Sequence, residues 1–276
     1  MPRDLPLLLE PEQLNAHLGD AALLIIDLGK MQVYQQAHIP GALHVDFQRL
    51  QHGAPPVTGL VPPKADLETL FSDIGLTPDT HVVAYDDEGG GWAARLLWLL
   101  EIAGHRHYSY LNGGIHAWLA AGLDTESTPV FPRASRYTVG ELNLQPSVDL
   151  DYVLAHHADP DVVLWDARSA EEFDGLRAYA SKSGHIPGAV HYEWTDAMDK
   201  ARQLRLKDAD TLRQELAERG ITGDREVITY CQTHHRSSLA WLVGRILGFE
   251  RVRGYPGSWS EWGNHPDTPA EKDSPQ

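Results

Sequence analysis

Apolar residues along this chain follow two rhythms. Short stretches that are apolar almost without interruption, "LLIID" ending at Asp27, "HVVAY" at 81–85, "VVLWD" ending at Asp166 and "EVITY" at 226–230, predict strands buried on both faces. Between them the apolar positions fall at helical spacing. Leu67, Leu70, Phe71 and Ile74 run up to Gly75, and Leu212 and Leu216 run up to Gly220, the residue type that ends helices. Helical segments also precede the first strand of each set ("EPEQLNAHLGD", "SVDLDYVLAHHA"). A strongly apolar helix, a short strand and a closing helix follow the second. Strands of this kind alternating with helices predict an α/β protein with mainly parallel sheets, helices covering both faces.

The pattern occurs twice, and so do the letters. "HIPGALHVDF" at 38–47 returns as "HIPGAVHYEW" at 185–194, and "ADLETLFSDIGLTPDTHVVAYD" at 65–86 aligns with "DTLRQELAERGITGDREVITYC" at 210–231. "GGIHAW" at 113–118 aligns with "GSWSEW" at 257–262. Blocks repeated in the same order mark a duplicated unit. The expected organisation is a first domain over 1–124, a linker over 125–146 that is polar, punctuated by proline and free of helical periodicity, and a second domain over 147–276.

Composition narrows the partners. In 276 residues the apolar fraction is 42%, and no stretch approaches the roughly 20 apolar residues of a membrane span. The opening "MPRDLPLLLEPEQL" does not read as a signal peptide. A single cysteine permits no internal disulfide and suits a reducing cytoplasm, the expected location. The formal charge of −16 argues against nucleic acid or an anionic membrane as a partner. If an anionic substrate is bound, a local cationic pocket has to overcome that field.

Cys231 is where such a pocket is expected. It stands at the carboxyl end of a predicted parallel strand, the edge at which ligands of open sheets bind. The turn Gln232, Thr233, His234, His235, Arg236 precedes a helix expected to open at Ser237 or Ser238. A turn of this kind can aim successive amide N–H groups inward, and the helix start adds partial positive charge. Both lower a thiol pKa. Arg236 offers a permanent charge and a donor fork, and His234 and His235 further donors that depend on pH. The other readings of a lone cysteine are an inert core thiol and a Cys-His-His zinc site. The second has no other cysteine to draw on, and no metal is expected.

"YQQAHIPGALHV" and "GYPGSWSEW" resemble the two signature segments of the rhodanese sulfurtransferases, and the whole chain is similar to two-domain members of that family. The loop "CQTHHR" resembles that of a bacterial subset described as thiosulfate sulfurtransferases. The resemblance implies a cofactor-free ping-pong reaction. Cys231 takes the outer sulfur of thiosulfate, releases sulfite, and passes the persulfide sulfur to cyanide, another thiol or a protein acceptor. 3-Mercaptopyruvate is the alternative donor, and a monomer is expected. The loop differs from the C-R-K-G-V-T and C-G-S-G-V-T types of many relatives, and Glu172 stands where relatives tend to place an arginine.

In the first domain Asp86 replaces the cysteine, in "YDDEGGGW", so that domain is expected to be catalytically silent, its acids forming a solvated turn. His38 and His185 occur identically in both units and read as structural. Asp166, Arg168, Arg177, Lys182 and Trp194 are possible cleft residues, Arg177 and Lys182 lying in an insertion ("DGLRAYASKSG") that the first unit lacks. Two rival functions remain. A cysteine-dependent phosphatase or arsenate reductase generally has a longer spacing from cysteine to arginine, and a persulfide carrier or binding module would load once without turning over.

Overall fold

In the computed structural model, which describes residues 5–272, the chain divides into two compact units. The first comprises the chain up to Leu50, Pro62–Asn143 and Met198–Leu206. The second comprises Gln51–Val61, Leu144–Ala197 and the chain from Lys207 on.

Each unit is built on a parallel sheet. The first has the strand order Leu8–Leu9, Tyr108–Leu111, His81–Tyr85, Leu23–Asp27, Leu43–His44. The second has Val252–Gly254, Glu226–Tyr230, Val162–Asp166, Val190–His191. A single parallel bridge from Ser147 to Gly254 stands where the first unit has its outer strand. The duplication extends to register: Asp27 lies opposite Tyr85 and Asp166 opposite Tyr230.

The continuous apolar runs form the central strands for the reason the sequence suggested. Successive strand residues face opposite sides of a sheet, and Val82, Val83 and Ala84 are all fully buried, so helices must cover both faces. On one face of the first sheet, Ile25, Val83 and Tyr85 pack with Leu14, Ile115 and Trp118. The equivalent face of the second gathers Leu164, Ile228 and Tyr230 with Val153, Trp259 and Trp262. The helices Lys64–Asp73 and Ala209–Glu218 end just before Gly75 and Gly220.

Two antiparallel hairpins were not foreseen. His52–Ala54 pairs with Val57–Leu60 and is grouped with the second unit, while Met198–Asp199 pairs with Arg205–Leu206 and is grouped with the first. Each hairpin is thus encoded within the repeat of the other unit. Residues 125–143 form no helix or regular strand, yet they are bound along the first unit. The amides of Ser135 and Tyr137 donate to the Ser72 carbonyl and hydroxyl, that of Val139 to the Glu68 carboxylate, and that of Asn143 to the Ile102 carbonyl. Side-chain acceptors here satisfy a backbone that no ladder serves.

His38 and His185 play one structural part twice. Both rings are buried, stacked on Tyr34 and Phe173, and donate from Nδ1 to the carbonyls of those residues. Among the described residues no helix is long and apolar enough to cross a membrane.

Candidate active site

Cys231 follows the central strand Glu226–Tyr230 directly, and the helix Arg236–Ile246 begins one residue earlier than the apolar pattern suggested. The loop has no glycine, so the inward turn is made by His234, which adopts φ +54°. A left-handed residue followed by right-handed His235 is the alternation that points successive amides to one side. The loop carbonyls are occupied elsewhere: those of Cys231 and Gln232 accept from the amides of Trp259 and Ser260, at 2.9 and 3.0 Å. What remains for the sulfur are donors. The amides of Thr233 and Ser237 and the Ser237 hydroxyl hydrogen-bond it. Fully buried His234 lies with Nδ1 2.8 Å from Ser237 Oγ, so a proton on that nitrogen frees the hydroxyl hydrogen for the thiolate.

The electrostatics follow from this ring. Cys231 is 1% exposed, and burial is the largest single influence on its thiol, opposing ionisation. The charge of Arg236, the Ser237 hydroxyl and the amides of Ser237 and Thr233 together outweigh burial, and the thiol pKa is lowered. The sulfur is thus buried among donors.

Arg236 corrects one expectation. Its fork is already engaged: Nη1 and Nη2 donate to the two oxygens of Glu172 at 2.6 and 2.9 Å. The cationic pocket inferred from the sequence is therefore paired with a carboxylate, while the charge of Arg236 still favours ionisation of Cys231. Glu172 is buried and is also the third residue of a capping box with Ser169. Burial opposes its ionisation, but Arg236 and Arg168 prevail and its pKa is lowered.

Of the possible cleft residues, several are engaged in pairings of their own. Arg168 is buried, its Nε and Nη2 on the Asp166 carboxylate, Nη2 also on the Gly184 carbonyl, and its guanidinium 4.6 Å from the Trp259 ring centre. Asp166 and Arg168 thus form an internal ion pair, which suits a strand-end carboxylate that would otherwise be buried uncompensated. Lys182 is bound through Nζ to the carbonyls of His265 and Thr268 and to the Thr268 hydroxyl. Arg177 is exposed. Trp194 is half-buried with its ring 5.7 Å from that of His235. The insertion does reach the loop by another route, for Gln232 Nε2 donates to the Tyr179 carbonyl at 3.3 Å. Gly59 of the unforeseen hairpin lies so near the loop that a Cβ there would stand 2.3 Å from the Thr233 carbonyl oxygen, which only glycine permits.

The corresponding loop of the first unit is not a solvated acidic turn. Asp86 is 1% exposed, and its carboxylate fills an amide ring of the same design. Oδ1 accepts from Glu88, Gly89 and Gly90, and Oδ2 from Trp92 and Ala93, at 2.8–3.1 Å. Burial and Glu88 still push its pKa up against those donors. Asp27, equivalent to Asp166, has Leu28 and Gly29 where the second unit has its arginine. Burial pushes its pKa up to about 6, against hydrogen bonds from Tyr85 and Gly29 and the pull of His44, with Asp86 adding to the rise.

A carboxyl whose folded pKa lies above its unfolded value stabilises the fold below the unfolded pKa, and that contribution is lost as pH rises through the folded one. Asp27→Asn is therefore expected to gain about 2 kcal/mol relative to the parent between about pH 4 and about pH 8. Urea unfolding at the two pH values checks this; an equal difference at both would contradict it.

The Rhodanese-like domain family model matches residues 10–121 and 149–265. A protein of Pseudomonas aeruginosa named thiosulfate sulfurtransferase is 49% identical over 97% of this chain and 98% of its own length. One of the same name from Azotobacter vinelandii is 48% identical over 97% of each. The sulfur carrier protein TtuD of Thermus thermophilus is 31% identical over 96% of each. Among solved structures, the anaerobic ergothioneine biosynthesis enzyme of Chlorobium limicola superposes with a TM-score of 0.87 at 23% identity, over 98% of this chain and 71% of that one, a likeness of fold. With both halves matched by one family model and full-length relatives at nearly half identity, the chain belongs to the rhodanese family.

Proposed function

We propose that this protein is a sulfurtransferase that moves the sulfane sulfur of thiosulfate to a thiophilic acceptor through a persulfide on Cys231. The observation that carries this reading is the sole cysteine, its thiol pKa lowered by a surrounding ring of amide, hydroxyl and guanidinium donors. The thiolate attacks the outer sulfur of thiosulfate, an S–S bond forms to Cys231, and sulfite departs with the electron pair of the bond that breaks. The terminal sulfur now carries the negative charge, which the same donors stabilise. A nucleophile such as cyanide then bonds to that sulfur, leaving as thiocyanate and restoring the thiolate. The two displacements draw only on the thiolate and its donors, in keeping with relatives named thiosulfate sulfurtransferase.

Intact mass after thiosulfate is the test: the expected result is a gain of one sulfur atom, removed by cyanide with release of thiocyanate. A gain with 3-mercaptopyruvate and none with thiosulfate reassigns the donor. Cys231-dependent hydrolysis of a generic phosphomonoester in its place would make the protein a phosphatase. The similarity to a sulfur carrier favours a second reading, in which the persulfide is delivered to a protein thiol. Loading without multiple turnover on cyanide distinguishes it.

A further inference from the structure

Among the described residues four have a positive φ without being glycine, and two of them adjoin Cys231: His234 in its loop and Ser258, at φ +50°. Ser258 is fully buried. Its hydroxyl donates to the Tyr255 carbonyl at 2.7 Å and accepts the amide of Cys231 at 3.2 Å. The next amide, of Trp259, holds the Cys231 carbonyl at 2.9 Å. Both backbone groups of the nucleophile are thus clasped by one turn at the start of the helix Ser258–Trp262.

The first unit is an internal control. Gly114 occupies the matching place at φ +53°, and a Cβ there would lie 2.2 Å from the Asp86 carbonyl oxygen. The carbonyl clasp persists, more loosely, as Ile115 N–H to Asp86 O at 3.3 Å, but there is no hydroxyl to take the Asp86 amide. If the position served only to make the turn, glycine would do so without strain, as it does in the silent loop. The active loop keeps a serine in a conformation that disfavours it, and the only group it gains is the hydroxyl on Cys231.

We infer that Ser258 is a positioning residue for sulfur transfer: its strained backbone carries a hydroxyl that fixes the Cys231 amide and so aims the thiolate within its ring of donors. This rests on the reading of Cys231 as the sulfur-carrying nucleophile. The donors at Thr233 and Ser237 meet the sulfur itself, so the direction of the Cα–Cβ bond that carries it decides whether they are met. In-line attack on an S–S bond tolerates little misalignment.

The test uses Ser258→Gly and Ser258→Ala in the full chain. Glycine also leaves the Cys231 amide without its acceptor, but it relieves the strain, so the two effects offset and S258G is expected to unfold near the parent's temperature. The pH profile of iodoacetamide alkylation at the sole cysteine should nevertheless move up by about one unit. Single-turnover loading from saturating thiosulfate should slow about tenfold, with a smaller change in KM. S258A should slow equally and unfold at a lower temperature, since it keeps the strain and leaves the Cys231 amide without its acceptor. An S258G protein with the parent's alkylation profile and loading rate overturns the assignment. So does one whose slower loading accompanies a large fall in unfolding temperature, the mark of a merely structural residue. Alkylation needs no sulfur donor, so a parent that takes no sulfur from thiosulfate would refute the proposed function while leaving the role of Ser258 measurable.

Discussion

Cys231→Ser is expected to take up no sulfur from thiosulfate, with turnover reduced by at least about four orders of magnitude. The size of the effect follows from the covalent role. A serine hydroxyl fits the loop and can accept the same amides, so the fold should persist. Its pKa, however, lies far above any value the ring of donors could correct, and oxygen is a poor nucleophile toward sulfane sulfur. Because the chain has one cysteine, no second thiol can substitute. Intact mass with and without thiosulfate reads the result directly, and a sulfur adduct on the variant would place the chemistry on another residue.

Arg236→Gln carries the next largest expected effect, and it acts on both activity and stability. The guanidinium is the strongest influence favouring the Cys231 thiolate, ahead of the Ser237 hydroxyl and the loop amides. Without it, the thiol pKa rises. The rate of loading at neutral pH should fall about a hundredfold, and its pH profile should shift upward, so that part of the loss is recovered at alkaline pH. The same change strands Glu172, a buried carboxylate left without its bidentate partner, at a cost of about 3 kcal/mol or more.

The sign for Glu172 is the usual one for a paired carboxylate. Its folded pKa lies below the unfolded value, so the stability it confers is present above the unfolded pKa and lost as pH falls through the folded one. R236Q should therefore lose the most stability at neutral pH and the least in acid. Denaturant unfolding across that range checks it, and a loss independent of pH would contradict the pairing as the source.

Much of the fold was legible because it is written in local pattern. The runs at 81–85 and 226–230 are buried on both faces and could only be inner strands. The duplication then placed Cys231 and Asp86 at matching strand ends without any structure. The proposed nucleophile and its loop followed from one chemical argument, a thiol at a strand end next to a helix start. What the sequence hid are pairings between residues distant along the chain. Nothing local tells that Glu172 will face Arg236, 64 positions away, although its presence where an arginine was expected was the available signal.

Arg168 was named as a possible cleft residue, yet its partner Asp166 is two residues away and both are buried. Ser258 was visible only as a difference between "GG" and "GS" in aligned blocks, and its meaning depends on a backbone angle. The hairpins escaped notice because their strands are two to four residues long, too short for any periodicity to register.

The account rests on a thiol ionised below its ordinary range by donors that outweigh its burial. The most direct measurement is the titration of Cys231 in the native protein, followed by thiolate absorbance against pH, with the cysteine-free C231S protein as blank. The expected midpoint lies clearly below the roughly 8.5 of an unperturbed thiol. A midpoint at or above that value would mean that burial prevails and that the ring of donors does not activate the sulfur.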